Sequence, residues 1–444
     1  MLTLAALPKA FKGQFGVIQR NAIKSWTLLE PKPEIILFGE DKGVADICQE
    51  FGLRHVPQVK FTNDGPPLLG DVLDITRREA TNELVCYVNA DIILLNDFIQ
   101  AVREASSVRP KFLMVSRRWD VKLDDLWNFE LADWEPQLRA YVHEHGTQAP
   151  PPGNSDYFVF PRQLWKSIAP LVIGRGWWDH WLVYEARRLG AAVVDASQSV
   201  MVIHQNHDHL LNPSPADLKR WRHAVNTNLE IAGPHAKRFT LLDSTHRLTS
   251  QGITRNVSFR RCIRSLDTLP LFHPILCLPM RLLQAPLKLV RTIAKNFRRR
   301  ADPSYRILDW VISHLPEDGL VGVLGLAEAA DASDFDHSRG QLLTHNLIWG
   351  GFPSIVYDPA PKVMDQARRR LQGPITFASS IDDCLRNSDI LLIAALRNDI
   401  RPMLCDALSR GNSRCTVVDC CGMFETPELA GRTQTSLQQV SFSW

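Results

Sequence analysis

Long apolar runs are missing from this sequence. No stretch of 18 apolar residues occurs in its 444 residues, so no bilayer-spanning helix is expected. A secretory leader is not expected either, because the apolar opening of MLTLAALPKAFK is short and runs straight into Pro8 and Lys9. Charge of one sign is not in excess: 51 Lys plus Arg face 48 Asp plus Glu, a formal +3. That balance argues against bulk electrostatic binding of nucleic acid. Nine cysteines are scattered without a C-x-x-C pair, which excludes a zinc ribbon or a disulfide scaffold and points to a reduced, cytoplasmic setting. A full G-x-G-x-x-G is also absent, so the dinucleotide signal around Gly322 and Gly325 is weak. What remains is ordinary globular material, with 45% hydrophobic and 22% charged residues. It is enough for sizeable cores, over a length that suits two or three domains.

Residues 1–210 alternate short apolar runs with helical segments. Leu2–Leu7, Glu34–Phe38, Val85–Val88, Phe112–Val115, Tyr157–Phe160, Ala192–Val194 and Val200–Ile203 read as strands. Gly16–Leu29, Gly43–Phe51 and Trp178–Leu189 read as helices between them. This alternation predicts an α/β/α sandwich on a mainly parallel sheet, with ligands beyond the carboxyl ends of the strands. Residues 211–301 read as a helical extension and linker, whose first part, 211–267, is loop-rich and without strong strand alternation. No acidic residue occurs from Thr268 to Ala301, and Pro286–Arg298 carries an apolar and a basic stripe at helical spacing. That segment reads as a docked linker helix or as a basic helix resting on an anionic membrane surface. Residues 302–444 restart the pattern, with strands at Val321–Leu326, Ser354–Tyr357, Asp389–Ala394 and Thr416–Asp419, as in a smaller Rossmann-like domain.

Three segments carry candidate chemistry. In ELVCYVNADIILLNDF a strand runs into Asn89-Ala90-Asp91. A carboxylate at a strand's carboxyl end, between apolar flanks, is placed to hold Mg²⁺ or Mn²⁺, although an Asp capping the next turn gives the same pattern. In GRGWWDHWLVYEARRLG, Asp179 opens an amphipathic helix between Trp178 and Trp181. It reads either as a cap or as a general base beside aromatic faces that stack on sugar rings. The strand Val200–Ile203 ends in HQNHDH, placing His204 directly after it, with His207 and His209 following. Several histidines at a strand's end suit metal ligation.

Taken together, residues 1–210 resemble the GT-A nucleotide-diphosphosugar glycosyltransferases, in a branch related to the family-two enzymes. The resemblance rests on PKAF, IILFGED, GPPLLGDVL, YVNADIIL, SDYFVFP, GWWDHWL and VIHQNHDH, which occur in the expected order. It implies that NAD stands for the D-x-D motif, with Asn89 replacing the first acid and Asp91 as metal ligand. It further implies that Pro8 and Glu40 or Asp41 contact the donor, that His204 completes coordination of Mn²⁺ or Mg²⁺, and that Asp179 deprotonates the acceptor. A UDP-sugar donor and a glycan or small hydroxyl acceptor follow from the same likeness. A non-catalytic sugar-nucleotide-binding protein is the rival reading, which the substitution at Asn89 suits.

Residues 319–424 resemble the carboxyl-terminal UDP-binding domain of UDP-glucose and GDP-mannose dehydrogenases, through VGVLGLA, Ser338 before a helix, SIVYDPAP and NSDILLIAA. The basic residues of that family's nucleotide site are replaced here by Ala329 and Asp336. The module therefore reads as an assembly element, with oligomer contacts through it, or as a decayed site, with weak nucleotide binding as the alternative; sugar-nucleotide oxidation is not expected. The whole chain is expected to be cytoplasmic, with possible peripheral contact at the inner membrane face.

Overall fold

The structure, a computed structural model, describes residues 2–424 and 437–438, apart from 63–64, 150–154, 208–212, 237–238, 277, 281, 283, 285–302, 372 and 411–414. Two compact units divide the chain. Met1–His207 and Thr227–Gln284 form the first; Asp208–Asn226 and Ala285–Trp444 form the second. The extension expected over 211–301 is thus shared between the two units. The basic stretch Pro286–Arg298 and His209 lie outside the described residues.

In the first unit the elements run β1 (Leu2–Ala6), α1 (Gly13–Thr27), β2 (Glu34–Phe38), α2 (Val44–Phe51), β3 (Arg54–Val56), α3 (Leu69–Glu79), β4 (Leu84–Val88), β5 (Ile92–Ile93) and α4 (Asn96–Ser106). They continue as β6 (Phe112–Val115), β7 (Trp119–Val121), α5 (Trp134–His145), β8 (Thr147–Gln148), β9 (Tyr157–Pro161), α6 (Trp178–Arg188), β10 (Ala192–Asp195) and β11 (Ile203–Gln205). After α7 (Pro215–Ala236), which begins in the second unit, come β12 (His246–Thr249), β13 (Gly252–Arg255) and α8 (Phe259–Phe272). A nine-stranded sheet has the order β13-β12-β10-β6-β9-β4-β1-β2-β3. Its pairs are parallel except where β9 enters between β4 and β6 and where β13 turns back on β12.

The interior strand β1 is buried along its whole length, as expected of a strand covered on both faces. Leu2, Leu4 and Ala6 pack on one face with Ile23 and Trp26 of α1, Ile47 of α2 and Phe98 of α4. Ala5, Ile36, Val85 and Tyr87 pack on the other with Val72 of α3 and Leu182 and Ala186 of α6. The period of two in each strand therefore builds the two cores of an α/β/α sandwich. A smaller sheet, β5-β11-β7-β8, lies at the carboxyl end of β4.

Two features differ from the sequence expectation. Residues 246–255 form the β12–β13 hairpin in a stretch expected to lack strands. Leu248 is its one fully buried apolar side chain, so an edge hairpin of this kind shows almost no hydrophobic alternation. The strand expected at Val200–Ile203 runs instead over Ile203–Gln205, so that His204 lies within it; Val200 and Val202 are buried in the first core, and the Val202 carbonyl accepts from the Trp119 amide at 2.7 Å.

Among the described residues the second unit holds six parallel strands, β14 (Val321–Leu324), β15 (Ser354–Tyr357), β16 (Ile375–Phe377), β17 (Ile390–Ile393), β18 (Thr416–Asp419) and β19 (Leu437–Gln438). Their order, β16-β15-β14-β17-β18-β19, is that of a doubly wound Rossmann sheet. Gly325 at the end of β14 has φ +82°, and a Cβ at Gly340 would collide with its carbonyl. Both glycines let the helix Arg339–Trp349 pack directly on the strand.

Candidate metal and donor site

Asp91 follows β4 at the carboxyl edge of the first unit's sheet, where β5 and β11 meet it. Its Oδ2 accepts a 2.8 Å hydrogen bond from His207 Nε2 and lies 3.7 Å from His204 Nε2. Ligand atoms of Asp91, His204 and His207 all lie within 4.8 Å of one another. Oδ1 of Asp91 is buried without a hydrogen-bond partner, a costly state for a carboxylate oxygen. Burial pushes the Asp91 carboxyl up. The His207 hydrogen bond and the charges of His204, His207 and Arg118 outweigh that and hold it well below the usual carboxylate range.

His204 is oriented from behind. Its Nδ1 lies 2.9 Å from Asp120 Oδ1, and this contact fixes the ring so that Nε2 faces Asp91. A carboxylate behind an imidazole is a common support for a metal-binding histidine. Asp120 is itself 2.9 Å from Arg118 Nε, and Arg118 Nη1 donates 2.7 Å to Asp156 Oδ2. Asn89 donates from Nδ2 to Asp156 Oδ1 at 2.9 Å. One connected set therefore runs from Asn89 through Asp156, Arg118, Asp120 and His204 to Asp91. Asn89 sits at its far end, turned to Asp156 and away from the cluster.

The frame around the cluster is tightly fixed. Gln205, fully buried, donates to the Ile18 carbonyl at 2.7 Å and the Asp91 carbonyl at 3.0 Å and accepts from Asn21 at 3.0 Å. Trp26 Nε1 donates to the Ile92 carbonyl at 2.8 Å. Helix α1 thereby holds both strand ends that carry the ligands.

Basic groups adjoin the cluster. The loop after β1 contains Pro8, which is buried, and Lys9, whose amide donates to Gln19 Oε1 at 2.7 Å while Gln19 Nε2 returns a bond to its carbonyl at 2.8 Å. Lys9 Nζ stands 4.4 Å from the centroid of Phe15, and Phe15 packs at 5.0 Å on the His207 ring. Although Lys9 keeps solvent access, partial desolvation by the surrounding protein lowers its pKa, with Asp91 and Asp41 opposing and Arg175 adding to the fall. Burial also lowers that of Arg175, whose Nε is buried without a partner. Glu40 and Asp41 lie exposed on the loop after β2, which is tied to the β1 loop by a 2.8 Å bond from the Phe11 amide to the Lys42 carbonyl.

Asp179 occupies the first turn of α6, where the helix dipole favours an anion. Its carboxylate is partly exposed, 4.0 Å from His180 Nε2. Trp177, just before the helix, has φ +79°, a strained value for a bulky residue. The expectation that the tryptophans around Asp179 offer open faces is corrected here. Trp178 and Trp181 are buried in the core, with Trp178 edge-on to Tyr87 at 5.7 Å and to Phe158 at 5.3 Å. They anchor the helix and leave Trp177 the only partly buried ring of the three. Buried Asn228 fixes the approach to α6 by bonding Val172 through both amide and carbonyl and the Gly176 carbonyl at 3.0 Å.

Asp120, Arg118, Asp156, Lys9 and Arg175 are brought to this region although the sequence reading gave none of them a role, and His207, read there only as one of several histidines after the strand, joins Asp91 directly. The available signal was position: Arg118 and Asp120 follow β6, and Asp156 precedes β9 inside SDYFVFP.

In the second unit, Asp358 directly follows β15, the place where dinucleotide-binding sheets present an acid to the ribose. Here its side chain is fully buried, accepting from the amides of Leu326 and Ala360 at 2.9 Å each and pairing with Arg397 Nη1 at 2.8 Å. Its hydrogen-bonding capacity is directed inward. Asp334 is similarly taken up by the amides of Glu328 and Ala329, and Ser338 caps the following helix.

The fold is thus mixed α/β in both units. No known family pattern and no curated protein matches the sequence. Solved structures do show likenesses to parts of it. An imine reductase from Myxococcus stipitatus in complex with NAD⁺ matches at 16% identity and a TM-score of 0.19, over 23% of this chain. The chain spans 31% of that reductase's length. Glucosyl-3-phosphoglycerate synthase from Mycobacterium tuberculosis, in complex with Mn²⁺ and UDP, matches over 52% of this chain and 80% of its own, at 18% identity and a TM-score of 0.32. TarS residues 1–349 from S. aureus match over 61% and 72%, at 10% identity and a TM-score of 0.33.

Proposed function

We propose that the first unit is a metal-assisted glycosyltransferase that moves a sugar from a nucleoside-diphosphate donor, a UDP-sugar in the first instance, to a hydroxyl acceptor. The observation that carries this reading is the Asp91–His204–His207 cluster at the carboxyl end of β4, with an unpartnered buried carboxylate oxygen and basic side chains beside it. These residues fit a divalent cation. Two imidazoles with one carboxylate suit Mn²⁺ better than Mg²⁺, which prefers an all-oxygen shell. When bound, such a cation neutralises the charge that develops on a leaving diphosphate.

Asp91, His204 and His207 hold the cation, and Lys9 and Arg175 supply further positive charge for the diphosphate. Pro8, Glu40 and Asp41, on the loops after β1 and β2, are assigned to the nucleoside end of the donor. Asn89 is assigned to positioning, through Asp156. Asp179 receives the acceptor's hydroxyl proton as its oxygen bonds to the anomeric carbon and the bond from that carbon to the diphosphate breaks. The strained backbone at Trp177 supports a functional role for this helix start. The second unit, with Asp358 and Asp334 turned inward, is assigned to assembly, and exposed Trp349 and Leu396 support that role.

Incubation with Mn²⁺ and a panel of sugar nucleotides tests the reading. Release of free nucleoside diphosphate that requires Mn²⁺ is expected. Binding without turnover, with any acceptor supplied, would replace the enzyme by a sugar-nucleotide-binding protein.

A further inference from the structure

A cavity of about 160 Å³ in the first unit lies where β6 and β10 end and α8 begins, and four arginines line it: Arg117, Arg247, Arg260 and Arg261. One carboxylate, Asp195, also lines it. Its Oδ1 is engaged by the amide and hydroxyl of Ser197, at 3.0 and 2.6 Å. None of the four guanidinium groups pairs with a carboxylate among the described residues. Neutral atoms hold them instead. Arg261 donates to the Ser244 carbonyl at 2.9 Å and the Ser265 hydroxyl at 2.6 Å, and Arg117 to the Ala149 carbonyl at 3.1 Å. Buried Asp243, which pairs with Arg264, offsets part of the charge on Arg261, but among the described residues none of the four is held in an ion pair of its own.

The N-terminus of α8 adds to the same field. Ser258 lines the cavity but does not cap the helix with its side chain, and no acid stands in the first turn. Burial lowers the pKa of Arg261, and Arg187 is pushed down to about 10 by burial together with the charge of Arg261. Concentrated, poorly compensated positive charge around a concavity is the footprint of an anion site.

We infer that this cavity binds the phosphate group of a phosphorylated ligand, separately from the donor site. Guanidinium forks match phosphate oxygens in pairs, and several forks converge here. Size selects a small group: drug-sized ligands occupy roughly 300–1,000 Å³, whereas this cavity is well below that range. Exposed Val257 and Phe259 adjoin Ser258, so the phosphate belongs either to a soluble ester or to a phospholipid headgroup whose chains these two residues would meet.

Calorimetry with sodium phosphate and glycerol phosphate, at ionic strength matched with sodium chloride, tests the inference on the full chain. The parent is expected to bind one phosphate per chain. The double variant Arg247→Gln, Arg260→Gln is expected to bind at least ten-fold more weakly at an unchanged melting temperature. If the double variant melts early, Arg260→Glu alone replaces it, because Arg260 is exposed. Sedimentation with phosphatidic acid vesicles, compared with phosphatidylcholine alone, separates the sources. Loss of vesicle binding in the variant assigns a lipid, while phosphate binding without vesicle binding assigns a soluble ester. Equal affinity of parent and variant, or binding of neither phosphate nor vesicles by the parent, would overturn the site.

Discussion

His204 is held by Asp120 as firmly as it faces Asp91, and that gives the residue scale its sharpest expectation. Removing the carboxylate behind a metal-binding imidazole typically costs 10–100-fold in metal affinity. Asp120→Asn is therefore expected to weaken Mn²⁺ binding by about that factor, measured by calorimetry, while leaving the fold intact; a variant that binds Mn²⁺ like the parent would remove Asp120 from the support. Asp179 lends itself to a cleaner separation of roles. Asn is nearly isosteric and still suits a helix start, so Asp179→Asn should preserve donor affinity and lower turnover by about 10²–10⁴-fold. Turnover within a few-fold of the parent would reduce Asp179 to a cap. Asp91 and His204 stood out in the sequence as candidates because each comes within three residues of the end of a short apolar run. Asp120 and Asp156 were not. They reach His204 and Asn89 across 84 and 67 residues, and pairing over such distances leaves no local pattern.

At the scale of elements, the role proposed for Asp179 requires a rigid α6, and Trp178 anchors that helix by packing against Tyr87 of β4 and Phe158 of β9. Trp178→Ala should destabilise the first unit by about 3–5 kcal/mol, the usual cost of emptying a large aromatic site in a core. Denaturant unfolding checks it, and a loss below about 1 kcal/mol would show that Trp178 is not the anchor. The buried strands β1, β2, β4, β6 and β10 were legible because strands covered on both faces are continuously apolar. The small sheet around β5, β7 and β8 was not, since strands of two or three residues are too short to show a period. The β12–β13 hairpin was hidden for a different reason: at the sheet edge its exposed residues are free to be polar.

For the whole molecule, the two units make different demands on charge. In the second unit, Asp358 and Arg397 form a buried pair, and breaking such a pair costs about 3–5 kcal/mol because the remaining charge stays buried. Arg397→Ala should lower the stability of the second unit by that amount in chemical denaturation. A neutral result would mean that the amides of Leu326 and Ala360 suffice to hold Asp358. In the first unit the buried charges are left partly unsatisfied, at Asp91 Oδ1 and Arg175 Nε, which is the state expected of groups kept for a ligand. The central claim is that Asp91, with His204 and His207, holds the cation through which a nucleotide donor binds. Calorimetry of UDP binding, with Mn²⁺ and again with excess EDTA, tests it most directly on the parent and on Asp91→Ala. The account predicts Mn²⁺-dependent binding by the parent, lost in Asp91→Ala at an unchanged melting temperature. UDP affinity that is the same in EDTA, or the same in the folded variant, would contradict it.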